Sequence, residues 1–320
     1  MDTSDRVFMM RALELASHGE GLVSPNPMVG AVIVKDSLVI GEGYHLYENL
    51  KHAESYALDE AGAAASGATL YCSLEPCCHE GRTPPCTDAI IDGGLARVVI
   101  AVADPDVRVN GKGIALLAAA GLKVEVGLCA DEATRLNECY MKHIRTGSPF
   151  LHLILPPPED ETWIPSPDLL KTLRRYDALV LMVSGAAAGM MEESVVSHHK
   201  HRPVAVVLQE DHVQSARPES NALNVDLIPL AKEETALADV VARLKASSIT
   251  SAAIFGGAIP PDHLAKAIES ADKVTVIRHA QDDRVISSAE TWQLREATLR
   301  DSKTVTANGR LEITGYPKTI

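Results

Sequence analysis

Two short segments constrain this chain of 320 residues more than any other feature of its sequence. One reads HAE from position 52, and the other reads EPCCHEGRTPPC from position 75. One imidazole and two thiolates can hold zinc tetrahedrally and leave the fourth position for water, which is the arrangement of catalytic zinc sites. His52, Cys77 and Cys86 supply these three ligands, so the fold has to bring them together.

Glu54 follows His52 by two residues and can face the same site without being a ligand. In zinc deaminases, a glutamate beside the metal moves protons between the water and a ring nitrogen. Cys86 follows two prolines at a predicted helix start, where backbone N–H groups favour a thiolate. The alternative is a structural zinc site, closed by Cys78 or His79 as fourth ligand, which leaves Glu54 without a role.

The charge of the chain argues against a nucleic-acid partner. The sequence has 30 Lys and Arg residues against 43 Asp and Glu residues, and the net charge of −13 repels a phosphate backbone. Aromatic residues make up only 4% of the chain, so few side chains are present on which bases can stack. A small-molecule substrate fits this composition better than a nucleic acid does.

The sequence also argues against export and membrane insertion. The first twenty residues carry charges throughout and lack the apolar segment of a signal peptide. The longest uncharged apolar stretch, residues 178–191, is shorter than the ~20 residues that a membrane span requires. We therefore expect a cytoplasmic protein without a membrane partner. In that setting, six cysteines favour metal binding or catalysis over a disulfide framework.

Hydrophobic periodicity predicts an α/β fold in both halves of the chain. In the first half it predicts helices at 5–18, 53–65, 86–91, 113–120 and 132–145, and strands at 31–34, 39–43, 68–73, 97–101 and 122–126. Asp5 is expected to cap the first of these helices. In the second half it predicts strands at 150–155, 178–183, 204–208, 252–255, 273–277 and 310–314. The helical pattern breaks at TGSP, residues 146–149, and we place the domain boundary there, giving domains 1–147 and 148–320.

The string EPCCHEGRTPPCTDAI, preceded by SPNPMVGAVIV, GEGYH and HAE, resembles the deaminase domain of the bifunctional riboflavin-biosynthesis deaminase/reductase family over residues 5–147. The spacing differs from the P-C-x-x-C of nucleoside and transfer-RNA deaminases, because the second cysteine comes nine residues after Cys77. The resemblance implies a cytidine-deaminase-like three-layer α/β/α domain in which His52, Cys77 and Cys86 bind zinc and Glu54 shuttles protons.

The implied reaction is hydrolysis of the 2-amino group of 2,5-diamino-6-(ribosylamino)-4(3H)-pyrimidinone 5′-phosphate, which gives 5-amino-6-(5-phosphoribosylamino)uracil and ammonia. By the same resemblance, Asn26 and His45 approach the substrate ring, although turn chemistry also explains these two residues. His79 and Arg82 lie between the cysteines, where a cation can meet the substrate phosphate. Asp104 lies in a segment that resembles the ribose-phosphate side of the cleft. The alternative for these last three is a solvated loop.

Family members usually continue with a dihydrofolate-reductase-like α/β domain that uses NADPH. Trp163, Gly256 and Gly257 match its pattern weakly and are the only cofactor-binding candidates. The first connection is shortened at residues 156–158, and the segment 184–197 contains no Arg or Asp. Phe255 replaces an expected glutamate as well.

We therefore expect residues 148–320 to form a reductase-like domain that has lost catalysis and serves as a packing or oligomerisation partner. The sequence predicts a zinc-dependent deaminase of a phosphorylated aminopyrimidine that forms a homo-oligomer. The fully bifunctional enzyme, with NADPH as second cofactor, is one alternative. A zinc deaminase of another aminopyrimidine and a structural zinc protein that binds a partner are two others.

Overall fold

The computed structural model describes residues 3–46, 51–81, 83–155, 166–181, 205–209, 227–230, 237–256, 261–279, 299–307 and 310–317. The chain divides into two compact units, Met1–Gly147 and Ser148–Ile320. Each unit has its own sheet and its own apolar core. Within the described ranges, no helix combines the length and the apolar character needed to cross a bilayer.

The first unit alternates helices and strands around one sheet. Its elements are α1 (Thr3–Ser17), β1 (Gly30–Lys35), β2 (Leu38–Tyr44), α2 (Ala53–Ala61), a 3₁₀ turn (Gly62–Ala65), β3 (Thr69–Cys72), α3 (Cys86–Asp92), β4 (Arg97–Ile100), α4 (Lys112–Ala119), β5 (Lys123–Val126), α5 (Ala130–Leu136) and α6 (Glu138–Thr146). The strand order is β2-β1-β3-β4-β5. Strand β1 is antiparallel to β2 and β3, and β3, β4 and β5 are parallel.

Side chains of β1 alternate between the two faces of this sheet, as the period of a strand requires. Ala31 and Ile33 belong to an apolar cluster with residues of α2, α3 and α4. Val32 and Val34 belong to a second cluster with residues of α1 and α5. Both faces are thus covered by helices, which gives three layers, α/β/α.

Two details of the first unit differ from the sequence-based expectations. The helix predicted at 132–145 is interrupted at Asn137, whose backbone angles are φ −102° and ψ 22°. The side chain of Asn137 accepts from the backbone N–H of Met28 and donates to its carbonyl, both at 2.8 Å. Asp5 was expected to cap α1, but it lies in the first turn, where its carboxylate accepts from Arg97 at 2.8 and 2.9 Å.

The second unit contains a larger sheet that is mostly parallel. Its elements are β6 (Phe150–Leu155), α7 (Pro167–Leu173), β7 (Ala178–Leu181), β8 (Ala205–Gln209), β9 (Leu227–Leu230), α8 (Leu237–Ala246), β10 (Ser251–Phe255), α9 (Pro261–Ser270), β11 (Lys273–His279), β12 (Leu299–Ala307) and β13 (Arg310–Pro317). The strand order is β12-β13-β11-β6-β10-β7-β8-β9. Strands from β11 to β9 run parallel, and β12 and β13 form an antiparallel edge.

A polar residue, His152, lies on the central strand β6 and is fully buried. Its Nδ1 pairs with the hydroxyl of Tyr176 and its Nε2 with the hydroxyl of Thr275, both at 2.8 Å. Burial, together with the nearby charges of Lys273 and Arg175, lowers the pKa of His152 well below its usual value. The folded second unit therefore holds this imidazole in its neutral form.

This neutral imidazole predicts a loss of stability in mild acid. Below the ordinary histidine pKa of 6.5, the unfolded chain binds a proton at His152 that the folded chain does not. We expect the free energy of unfolding to fall by about 1 kcal/mol from this residue between pH 7.5 and pH 5.5. Urea unfolding followed by tryptophan fluorescence measures this, because both tryptophans lie in the second unit.

His152→Gln is the control for this measurement, because the amide cannot titrate. We expect that variant to be less stable at neutral pH but to change less between the two pH values. Equal pH dependence in the two proteins would contradict the assignment to His152.

Candidate metal centre and substrate cavity

His52 is placed by the close approach of α2 to strand β2. It precedes the helix directly, with extended backbone angles of φ −83° and ψ 166°. A Cβ atom at Gly41 would lie 2.1 Å from the carbonyl oxygen of Ala57, and one at Gly43 would lie 2.1 Å from that of Ala53. Glycine is required at both positions, and it fixes the start of α2 against the sheet.

Cys77 and Cys86 are placed by the start of α3. Cys86 is the first residue of this helix, and its backbone N–H donates to the sulfur of Cys77 at 3.3 Å. The next N–H, of Thr87, donates to the carbonyl of Cys77 at 3.2 Å. The helix start therefore folds around Cys77, although nine positions separate the two cysteines.

The three predicted ligands meet in the structure. The Nδ1 atom of His52 lies 3.2 Å from the sulfur of Cys86 and 3.4 Å from that of Cys77. All three ligand atoms lie within 4.8 Å of one another. A tetrahedral zinc with bonds of about 2.1 Å to nitrogen and 2.3 Å to sulfur separates these ligands by about 3.6 Å. The observed spacing therefore fits a zinc ion in the middle of the group.

The two cysteines of this ligand group differ in protonation, because the pKa of Cys77 is lowered and that of Cys86 is raised. Hydrogen bonds from Cys86 and His52 stabilise the thiolate of Cys77 and lower its pKa to about 4. Its partner Cys86 has a pKa well above the usual value, because its thiol donates to Cys77 and is buried. The hydrogen bond to Cys77 raises the pKa of His52. One thiolate beside an imidazole is a donor set suited to a soft divalent cation.

Glu54 is 3% exposed and lines the same cavity as His52 and Cys77. Burial raises the pKa of its carboxyl group. Among the residues that the structure describes, the ligand group contains neither Cys78 nor His79. The thiol of Cys78 instead donates to the carbonyl of Arg108 at 3.7 Å. The open three-ligand arrangement, with a carboxyl group beside it, therefore agrees with the structure better than the closed alternative.

The cavity has a volume of about 470 Å³ and lies in the first unit. The predicted site residues that line it are Asn26, His45, His52, Glu54, Cys77, His79 and Asp104. Cys86 joins them through the ligand group. Three other candidates, Arg82, Trp163 and Gly257, lie outside the described residues, and so do the segments 156–158 and 184–197.

Gly256 lies in the second unit and is buried at the end of β10. Its N–H donates to the carbonyl of Ile154 at 2.9 Å. This contact gives the residue a role in packing, and no described contact connects it with a ligand.

Asn26 and His45 lie beside the metal ligands. Their side chains, Nδ2 of Asn26 and Nε2 of His45, are 3.4 Å apart. The rings of His45 and His52 meet edge to face, with centroids 5.5 Å apart. Burial lowers the pKa of His45, which favours the neutral ring. A flat heterocycle in front of His52 would therefore meet two polar and uncharged side chains, those of Asn26 and His45.

The cavity lining also includes residues that the sequence did not single out. These are Glu75, Arg108, Tyr140 and His143. Asp106 and Arg108 follow the predicted Asp104, and Asp106 accepts from Nε of Arg108 at 3.0 Å. Tyr140 and His143 lie on α6 with the spacing of one helix face. That spacing was the available signal, but it is equally typical of a helix face packed in a core.

Comparisons with known proteins agree with this geometry. A family model for the cytidine and deoxycytidylate deaminase zinc-binding region matches residues 2–102. The riboflavin biosynthesis protein RibD of Escherichia coli is 50% identical over 151 residues, which make up 47% of this chain and 41% of that protein. The matched part of the chain thus spans about two fifths of the length of this relative.

Three further likenesses concern the first unit and the whole fold. The diaminohydroxyphosphoribosylamino-pyrimidine deaminase of Buchnera aphidicola is 46% identical over 145 residues, 45% of this chain and 99% of that protein. The structure of Acinetobacter baumannii RibD covers 99% of both chains, with a TM-score of 0.74 and 25% identity. A deaminase/reductase from Thermotoga maritima has the same fold, with a TM-score of 0.76 at 24% identity over 98% of this chain and 99% of that one.

These likenesses confirm the predicted fold, a cytidine-deaminase-like domain followed by a reductase-like α/β domain. The Buchnera protein is matched over nearly its whole length, and RibD over its whole structure. The chain therefore belongs to the RibD family.

Proposed function

We propose that this protein is a zinc-dependent deaminase of riboflavin biosynthesis. Its substrate is 2,5-diamino-6-(ribosylamino)-4(3H)-pyrimidinone 5′-phosphate, and its products are 5-amino-6-(5-phosphoribosylamino)uracil and ammonia. The observation that carries the proposal is the group of His52, Cys77 and Cys86 with buried Glu54 on the same cavity. The names of the relatives, a riboflavin biosynthesis protein and a pyrimidine deaminase, support the substrate class.

His52, Cys77 and Cys86 would hold the zinc ion. Bound there, zinc supplies Lewis-acid chemistry that makes water nucleophilic at neutral pH. Glu54 accepts a proton from the attacking water at a carboxylate oxygen and passes it to a ring nitrogen of the pyrimidine. The oxygen of water joins C2, the second proton of that water moves to the amino nitrogen, the bond from C2 to this nitrogen breaks, and ammonia leaves. Because Glu54 is 3% exposed, bulk water does not compete for its proton.

The cavity walls supply the remaining contacts. Asn26 and His45 hold the pyrimidine ring near the metal ligands, since the ring of His45 packs against that of His52 and Asn26 contacts His45. His79 and Asp104 line the same cavity and bind the ribose phosphate. We retain Arg82 as a partner of the phosphate, on the basis of the sequence alone.

The second unit, residues 148–320, is proposed to have lost reductase activity. Phe255 stands at the position of the expected glutamate and is fully buried at the end of β10, so its side chain offers no polar group to a cofactor. On this proposal the unit serves packing or assembly of a homo-oligomer, and NADPH is not a cofactor. We also propose a cytoplasmic location.

One assay tests both halves of this proposal. With the diaminopyrimidine phosphate as substrate, we expect the purified full-length protein to release ammonia. Supplied with the deaminated aminouracil phosphate, it is expected to leave the absorbance of NADPH unchanged, because misplaced groups alone cost a reductase site ~10²-fold in rate. Ammonia release is the control that the preparation is active.

Two results would contradict the proposal in different ways. Absence of ammonia from a zinc-loaded preparation would contradict the deaminase assignment. Consumption of NADPH at a rate comparable to deamination would restore the bifunctional alternative and leave the deaminase assignment intact.

A further inference from the structure

Tyr140 lies on α6 and lines the cavity together with Asp104. Its hydroxyl donates to Oδ1 of Asp104 at 2.9 Å. The backbone N–H of Asp106 donates to the same oxygen, also at 2.9 Å. Two donors therefore converge on Oδ1, and the described residues give Oδ2 of Asp104 no hydrogen-bond donor. Asp104 lines the cavity as well, so Oδ2 is the oxygen left to accept from a ligand.

The backbone of Asp104 is fixed separately from its side chain. Its N–H donates to Oε2 of Glu75 at 3.2 Å. The buried carboxylate of Glu75 also accepts from the N–H groups of Gly111 at 2.9 Å and Ile114 at 3.2 Å. Three backbone groups of one segment are thus anchored to one carboxylate. This anchor does not fix the rotation of the Asp104 carboxylate. The hydrogen bond from Tyr140 restricts that rotation.

We infer that Tyr140 is a positioning residue that orients Asp104 toward the ribose hydroxyls of the substrate, an inference that rests on the proposed function. Ribose hydroxyls donate hydrogen bonds, and an ionised carboxylate oxygen is a strong acceptor for them. The chemical class recognised at Oδ2 is therefore a sugar diol. Tyr140 touches no reacting atom on this assignment, and its effect passes through Asp104.

The charges around Asp104 are consistent with this role. Burial and the neighbouring carboxylates of Asp106 and Glu75 raise the pKa of Asp104, whereas the hydrogen bonds from Tyr140 and from the Asp106 backbone oppose that shift. Burial also raises the pKa of Tyr140, so the phenol keeps its proton and remains a donor. The pair is a phenol that donates to a carboxylate, which fixes the direction of the hydrogen bond.

The test is Tyr140→Phe in the full-length, zinc-loaded protein. The phenylalanine ring keeps the packing of α6 and removes only the donor. A hydrogen bond to a charged group is worth enough that its loss is expected to raise KM for the diaminopyrimidine phosphate about tenfold. We expect kcat to stay within about threefold of wild type and zinc content to be unchanged, since Tyr140 is not one of the three grouped ligands.

Inhibition by 2,5,6-triaminopyrimidin-4(3H)-one, the substrate base without ribose phosphate, separates orientation of Asp104 from general damage to the site. We expect its inhibition constant to be the same for wild type and Tyr140→Phe. In an Asp104→Asn background, the effect of Tyr140→Phe on KM is expected to disappear, because the two changes remove one shared interaction. Tyr44→Phe, which removes a phenol outside the cavity lining, is the matched control and should behave as wild type.

Each outcome bears on the inference. An unchanged KM in Tyr140→Phe, or equal losses for the substrate and for the base, would overturn it while leaving the deaminase assignment in place. Additive effects of Tyr140→Phe and Asp104→Asn would overturn it too. Absence of ammonia release from the wild type would contradict the proposed function, and the inference would fall with it.

Discussion

Replacing Glu54 with glutamine is expected to lower the rate of ammonia release by ~10²- to 10⁴-fold, the usual contribution of a general acid–base group. The amide has nearly the shape of the carboxylate, so the buried position remains filled and the fold is kept. It cannot accept the proton of the attacking water, so the step that Glu54 performs is lost. Because Glu54 is not one of the three grouped ligands, zinc content is expected to stay at the wild-type level.

The measurement is initial-rate ammonia release, accompanied by metal analysis of the same preparations. Glu14→Gln is the matched control, since Glu14 is an exposed α1 carboxylate with an ion pair to Arg11 and lies outside the cavity lining. We expect that control to match wild type. A rate for Glu54→Gln within about threefold of wild type would disprove the role assigned to Glu54.

Replacing Cys86 with alanine is expected to abolish tight zinc binding, and deamination with it. Two of the three protein ligands would remain. The thiolate of Cys77 would also lose the hydrogen bond that the Cys86 thiol donates to it. Loss of a residue that only hydrogen-bonds to a metal ligand commonly lowers metal affinity ~10- to 100-fold. Loss of the ligand itself is expected to lower the affinity further. Alanine fits the buried site of Cys86, so the secondary structure should persist.

Zinc retained after dialysis against a weak chelator is the readout, with circular dichroism to monitor the fold. Cys129→Ala serves as the control, because Cys129 is also buried but belongs to the apolar cluster beside α1 and α5. We expect it to keep its zinc. Full zinc content and full activity in Cys86→Ala would rule out the ligand set.

Much of the metal centre was predictable because zinc ligation requires particular residue types, and these occur here at a recognisable spacing. His52, Cys77 and Cys86 are individually common, and only their combination with Glu54 indicated a catalytic zinc site. Their approach to within 4.8 Å depends on the packing of α2 and α3, which spacing alone does not give.

Other features depended on contacts between distant parts of the chain. The break at Asn137 comes from hydrogen bonds to Met28, 109 positions away, and helical periodicity contains no sign of it. Strands β9 and β12 went unpredicted for a different reason, since they are the two edges of the second sheet. One contains a proline, Pro229, and the other is mostly polar, and both traits are typical of edge strands and weaken the hydrophobic signal.

Glu75 anchors the backbone of residues 104–114 at three points. A single carboxylate accepts from the N–H groups of Asp104, Gly111 and Ile114, so its removal would leave one buried and two partly buried donors without this partner at once. The exposed side chains of Val107 and Arg108 in this segment are not part of that anchor and can be exchanged while the backbone stays in place. Because Arg108 lines the cavity, substrate preference is open to adjustment by a single substitution there, without rebuilding the loop that carries it.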